Sequence, residues 1–218
     1  MRENVDRLLI SQAKQKGRVF GIILACLADL GYSAEWRVVN AAQYGAAQRR
    51  RRIFIYAYRN DTKYGQTMGG VPAENVIRTD GLMAQAFPVR EMGKVNQITL
   101  SEDIVDVSDN FVFPFENAGY MHQHAVYTSK ISEAEEAPVL LGSILQKNAD
   151  EKYYIPTEKM SKWAYLKGAK KIPRKSANGH EYMFSEGPIA FPDPWDRPGR
   201  TMLTSESTLN RSTHVVTD

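Results

Sequence analysis

Residues 52–58, "RIFIYAY", form a short and almost wholly apolar run. That is the pattern of a strand covered on both faces, and it obliges the chain to supply a layer on each side. The residues before it provide candidates. In 14–31, "KQKGRVFGIILACLADLG", Phe20, Ile23, Leu24, Leu27 and Leu30 share one helical face, and Gly31 is placed to cap the C-terminus. "EWRVVN" at 35–40 reads as a further strand. Helix, strand, loop and buried strand in that order predict part of an open α/β sheet.

Four arginines, Arg49 to Arg52, stand directly against the front of the apolar run in "YGAAQRRRRIFI". Adjacent guanidinium groups repel one another and gain little by facing water. A solvated turn is the plain reading of such a cluster. Side chains alternate along a strand, so Arg50 and Arg52 would share one side and Arg49 and Arg51 the other. One pair can then point into a site while the other reaches phosphates or solvent, and the planar arginine fork suits both tasks.

Charge along the chain is segregated. From Trp36 to Arg59 there are six arginines and no acid, and from Lys159 to His180 seven Lys or Arg and no acid. Between Ser101 and Glu136 eight acids face the single Lys130. Two basic blocks around an acidic one predict a surface with a positive and a negative side, although the net charge of +3 does not by itself demand a polyanionic partner. The one cysteine, Cys26, excludes an internal disulfide and a multi-cysteine zinc site and makes the cytoplasm the default compartment. Its context, "ILACLAD", predicts a buried structural thiol. The N-terminus has no apolar h-region and no stretch approaches the length of a membrane span. His122, His124, His180 and His214 show no metal-ligand spacing and read as loop or surface residues.

Beyond Arg59, "NDTKYGQTMGGVPAEN" is turn-rich and residues 98–115 mix strand-like and acidic pieces. "APVLLGSIL" at 137–145 suggests a short helix and "DEKYYI" at 150–155 a short strand. Five prolines between 173 and 200 argue against regular helix there. The basic block with Trp163 and Tyr165 suits phosphate contact plus packing, or equally a solvated helix face.

"NAAQYGAAQRRRRIFI" resembles the motif of DNA cytosine-5 methyltransferases written Tyr-Gly-x-Pro-Gln-Arg-Arg-x-Arg, followed by an apolar strand. Glu3-Asn4-Val5 resembles the family's Glu-Asn-Val, and "RPGRTMLTSES" at 197–207 its Arg-Thr-x-x-Thr segment, which closes the target-recognition domain. The three occur in the family's order and touch both ends of the chain. Glu74-Asn75-Val76 and Phe115-Glu116-Asn117 echo the second motif but follow the arginines, so Glu3 is preferred.

The resemblance implies an α/β fold: the C-terminal part of a Rossmann-like methyltransferase sheet followed by a small, irregular, mainly β target-recognition domain. Residues 1–60 would be catalytic, 61–145 connecting and 146–218 recognising. In the family a cysteine thiolate adds to carbon-6 of a flipped cytosine, and carbon-5 takes a methyl group from S-adenosylmethionine. The resemblance gives Glu3 the proton donated at N3, Arg52 the stabilisation of O2, and Arg50 a second active-site position. Asn4 orients its neighbours. Gln48, Arg49, Arg51, Arg200, Thr201, Thr204, Ser205 and Arg211 are the candidate contacts to double-stranded DNA.

Three departures accompany it. The Pro-Cys nucleophile and the aromatic-x-Gly-x-Gly cofactor loop are absent, Gly69-Gly70 being on the wrong side of the arginines. The sequence stops at "STHVVTD", before the family's final motif. Ala47 stands where the motif has proline, so the loop is costlier to order. The expectation is a chain inactive alone whose S-adenosylmethionine site lies mostly elsewhere. An N-terminal half would come from a longer reading frame or from the other subunit of a split enzyme. A non-catalytic DNA-binding protein is the alternative. A sheet lacking its first strands would also leave an unpaired edge prone to associate.

Overall fold

Three short segments, β1 (Arg2–Asn4), β2 (Tyr32–Asn40) and β3 (Arg51–Arg59), lie side by side in the order β1-β3-β2. Glu3 stands opposite Phe54, and Trp36 opposite Ile55. Because β3 is antiparallel to both neighbours, β1 and β2 run the same way, with helix α1 (Arg18–Asp29) between them in sequence. These details come from a computed structural model that describes residues 1–10, 14–134 and 136–217.

β3 is covered on both faces, as its apolar run requires. Ile53 and Ile55 join a core with Phe20, Leu24, Trp36 and Phe115, while Tyr58 packs on the other side with Met68, Val76 and Tyr120. Phe20, Trp36 and Phe115 meet edge to face with centroids 4.9–5.7 Å apart, the arrangement that ring quadrupoles favour. After β3 come α2 (Lys63–Gly69), the single turn α3 (Ala73–Asn75), a π-helical turn at Val76–Asp80 and α4 (Leu82–Ala86).

Residues 89–133, within the connecting region, then widen the same sheet. β4 (Val89–Thr99), β5 (Ala118–His122) and β6 (Ala125–Glu133) complete the order β1-β3-β2-β5-β6-β4, and α5 (Ile104–Asn110) packs against α1. All the pairings within this sheet are antiparallel, and β5 and β6 are joined as a hairpin by two residues. Gly119 faces Trp36 in this register, and a Cβ there would lie 2.0 Å from the indole, so the close approach of ring to backbone excludes any side chain.

The chain divides into two compact units: Met1–Gln43 with Arg51–Glu136, and Tyr44–Arg50 with Ala137–Asp218. The second contains α6 (Met160–Lys167) and the hairpin β7 (Lys170–Lys175) and β8 (Glu181–Glu186). No helix among the described residues is long and apolar enough to cross a membrane.

Several expectations change. α1 buries Phe20, Gly21, Leu24 and Ala25, a face centred one step away from the predicted one. Leu30 therefore lies past the helix end, 72% exposed, beside the left-handed Gly31 (φ +74°) that terminates it. Cys26 is exposed, not buried, because it falls one residue beyond Ala25 and rotates about 100° out of the packed face. Residues 150–155 form no strand. Asp150 accepts the Lys152 N–H and closes a 3-10 turn at Glu151–Tyr153 instead. In 137–145 the helical part shrinks to a 3-10 turn at Leu141–Ile144.

Candidate functional site

In unit 1 the sheet brings two motif residues together from 49 positions apart. Arg52 Nε lies 2.9 Å from Glu3 Oε1, across the β1–β3 pairing. The Glu3 side chain is 48% exposed and that of Arg52 19%, so the carboxylate is open to solvent while the guanidinium is largely enclosed. Asn4 turns its Oδ1 onto the Val5 N–H at 2.7 Å and fixes the chain as it leaves β1. Glu74 lies in the turn α3 and Glu116 precedes β5, and among the described residues neither carboxylate is paired with an arginine.

Arg51 points away from Arg52, as strand alternation requires, and pairs with Asp6 at 3.2 Å. This pair stands on an open cavity of about 470 Å³ also lined by Asn40, Gln43, Lys130 and Glu133. Behind β2 lies a buried polar group that the sequence reading passed over. Glu35 is 1% exposed and accepts the Met83 N–H at 2.9 Å and the Tyr64 hydroxyl at 3.0 Å. Burial pushes its carboxyl above the ordinary range, and these donors only partly oppose that. Arg37, equally buried, donates to the Phe87 and Ile77 carbonyls at 2.9 Å each.

In unit 2 the first half of the arginine motif is tied to the 199–202 segment. Gln48 bridges Gly199, Gly199 N donates to Ala47 O at 2.8 Å, and Arg49 N donates to Gly199 O at 2.8 Å. The Thr201 hydroxyl donates to Arg49 O at 2.8 Å, and Gln48 Oε1 accepts the Met202 N–H at 3.2 Å. These bonds order the loop where Ala47 replaces proline. Gln48 and Thr201 therefore spend side-chain bonds on the protein itself, while Arg49 is exposed and Arg50 half-buried.

Arg200 and Arg211 are also engaged internally. Arg200 forks onto Asp193 at 2.8 and 3.1 Å and reaches the Ser212 carbonyl at 3.0 Å. Asp193 is 4% exposed and additionally accepts the Val215 N–H at 2.9 Å, with Lys167 Nζ, 1% exposed, at 3.8 Å. Burial alone would raise the Asp193 carboxyl, but Arg200, the Val215 N–H and Lys167 outweigh it and hold it below the usual range. Burial lowers the Lys167 ammonium, with Asp193 opposing. Arg211 donates to the carbonyls of Leu166, Gly168 and Gly187. Ser205 meets the Ser212 hydroxyl at 3.2 Å, and Thr204 is exposed.

The sequence reading missed the β7–β8 hairpin. Its signal was present in Asn178-Gly179, a turn pair between two segments of alternating character.

Comparison with known proteins agrees with this assembly of motifs. A family profile described as C-5 cytosine-specific DNA methylase matches residues 1–211. The chain is 46% identical over 217 residues to Type II methyltransferase M.Sau3AI of Staphylococcus aureus, covering 98% of this chain and 53% of that protein. It is 39% identical over 57 residues to Type II methyltransferase M.NgoBV of Neisseria gonorrhoeae, covering 24% of this chain and 14% of the relative. The chain thus spans about half the length, or less, of these curated relatives. No solved structure matches it. The profile covers nearly the whole sequence, and on that ground the chain belongs to the C-5 cytosine-specific DNA methylase family.

Proposed function

We propose that this chain supplies the base-stabilising groups and the recognition part of an enzyme that moves a methyl group from S-adenosylmethionine to carbon-5 of a cytosine turned out of duplex DNA. The observation that carries the reading is the Glu3–Arg52 contact at 2.9 Å. N3 and O2 of cytosine are neighbouring atoms on one edge. A carboxyl and a guanidinium that touch each other can therefore meet both at once, Glu3 giving a proton at N3 and Arg52 neutralising charge at O2 as a nucleophile adds to carbon-6. Arg50 serves as the second active-site arginine, and Asn4 holds the turn after Glu3.

The Rossmann-like reading draws support from β1 and β2, which share a direction, are separated by α1, and flank the reversed β3. We assign residues 1–60 to catalysis and 146–218 to target recognition, with 61–145 connecting them and widening the sheet. The described residues do not fit the methyl donor. Gly69 and Gly70 close the end of α2, where a Cβ on Gly69 would lie 3.1 Å from the His122 ring, and no glycine loop opens there at a strand end. The cysteine nucleophile and most of the donor site are assigned to another segment, and the chain alone is inactive.

The test is label transfer from tritiated S-adenosylmethionine to mixed-sequence DNA, with and without the N-terminal half of M.Sau3AI. Label in DNA only with both parts present supports the reading. A folded complex of the two that transfers no label overturns it.

A further inference from the structure

The strands β7 and β8 form a ribbon of their own. Their register sets Lys170 opposite Glu186, Ile172 opposite Phe184 and Arg174 opposite Tyr182 on one face. Lys171, Pro173 and Lys175 lie opposite Ser185, Met183 and Glu181 on the other. The first face is half-buried along Lys170, Ile172, Phe184 and Glu186, with the Arg174 guanidinium 3.7 Å over the Phe184 ring. All six residues of the second face are exposed.

The ribbon is fixed at its root and free at its tip. Arg211 grips the carbonyls of Leu166 and Gly168 before β7 and of Gly187 after β8. Lys170 Nζ adds bonds to Leu166 O at 3.0 Å and to Glu186 at 3.4 Å. The tip, Ser176–His180, closes through Ser176 N to His180 O at 2.8 Å and Gly179 N to Ser176 O at 2.9 Å. Ala177 to His180 are exposed, and open space surrounds Gly179.

We infer that this ribbon is the element that enters the major groove of the DNA, with Lys171 and Lys175 against phosphates and Asn178 and His180 at the tip facing base edges. The inference rests on the reading that residues 146–218 recognise DNA. Dimensions agree: a two-stranded ribbon fits a groove about 12 Å wide, and six residues at about 3.3 Å each reach well beyond its depth of about 8.5 Å. Charge agrees as well. No acid occurs from Lys159 to His180, and Glu186 is neutralised within the root by Lys170 and Arg211. Glu181, the one acid on the exposed face, lies 3.9 Å from Lys175, a solvent-exposed pair that phosphate can displace, and Lys171 leaves that face net positive. The rigid root supplies the register that base readout needs, and the arginine the sequence offered as a DNA contact, Arg211, is what makes it rigid.

The experiment measures binding of the 218-residue chain to fluorescent mixed-sequence duplexes across salt concentrations. It compares K171A/K175A with K63A/R78A, which removes two exposed charges from unit 1. Each phosphate contact contributes about 0.9 to the salt slope, so K171A/K175A is expected to flatten it by about 2 and to weaken binding about thirtyfold at 0.15 M salt. The control stays within about twofold of the parent. N178A/H180A is expected to bind mixed duplexes like the parent but to fail to enrich the parent's preferred sequence from a random pool. An unchanged slope in K171A/K175A, an equal loss in the control, or the parent's enrichment retained by N178A/H180A overturns the inference. So does single-stranded RNA that outcompetes the duplex through the same lysines. A complex that transfers no methyl group but still needs the ribbon to bind DNA sinks the catalytic reading and leaves this one standing.

Discussion

Removing the Asp193 carboxylate tests whether Arg200 is a structural residue. Asp193 is 4% exposed and faces two cations, Arg200 at 2.8 and 3.1 Å and Lys167 at 3.8 Å. In D193A both cations lose their counter-charge, and the Val215 N–H loses its acceptor. Breaking a buried pair from one side costs about 3–5 kcal/mol, most of it the stranded charge. D193N keeps the volume and one acceptor, so its cost is that of weakened charge-assisted bonds, about 1.5–3 kcal/mol. Replacing Arg200 as well, in D193A/R200M, removes one stranded cation and makes the double variant less destabilised than the two single costs summed. The sign with pH follows from the carboxyl being held below its ordinary value. Its stabilisation is full above the unfolded value of about 3.9 and is lost as pH falls through the folded value. The gap between parent and D193N therefore closes in acid. Urea unfolding followed by circular dichroism and tryptophan fluorescence measures all of this. If D193A costs less than about 1 kcal/mol at pH 7, Asp193 does not hold Arg200 in the fold, and Arg200 is again a candidate DNA contact.

Glu35 has the opposite sign. Its carboxyl is raised by burial, so the folded chain keeps a proton that the unfolded chain loses above about pH 4.3, and stability falls as pH rises through that window, by at most about 1.4 kcal/mol per unit. Unfolding of E35Q, whose amide oxygen can accept the Met83 N–H while its NH2 donates to the Tyr64 oxygen, is expected to lack that slope; an identical pH profile would refute it. For Glu3 and Arg52, stability and activity should separate. This half-exposed pair contributes under about 1 kcal/mol to folding, yet E3Q or R52A in the complemented enzyme should lower label transfer about 10²–10³-fold. The swap E3R/R52E, which re-forms the ion pair, should restore no transfer; recovery of activity would make the contact a mere tie. G119A forces a methyl group into the Trp36 ring and is expected to cost about 1–3 kcal/mol by overpacking, read from the same unfolding curves.

The parts of the fold legible in the sequence were those with one dominant period. The run at 52–58 has the pattern of a strand covered twice, and the α1 stripe with Gly31 behind it marks a helix that stops at Asp29, one residue before the last position of the stripe. What failed to show were elements whose burial is uneven. β4 is an edge strand with a register shift between Met92 and Val95, so its alternation is broken. Residues 150–155 look strand-like because Tyr153 and Tyr154 are aromatic, but both are exposed, and a side-chain turn at Asp150 decides the local structure. Glu3 and Arg52 are named by the resemblance alone, and the sheet sets them 2.9 Å apart, whereas nothing in the sequence names Asp193. Nothing local distinguishes a carboxylate beside proline in a loop from a solvated one until Lys167 and Arg200 fold around it.

The same limit explains how the arginines sort. An arginine that holds backbone carbonyls and one that holds phosphate need the same planar fork, so composition cannot separate them. The chain path does. Arg51 and Arg52 begin β3 and are ordered by partners on and just after β1, Glu3 and Asp6. Arg49 and Arg50 precede the strand and belong to the unit that contains 199–202, whose Gly199 and Thr201 bond to the loop backbone. Within the first unit two carboxylates, Glu3 and Asp6, hold Arg52 and Arg51; within the second, Gly199 and Thr201 hold the backbone of Arg49. A substitution at Thr201 should therefore be felt first in the order of the Arg49 backbone, and only through it in the handling of DNA.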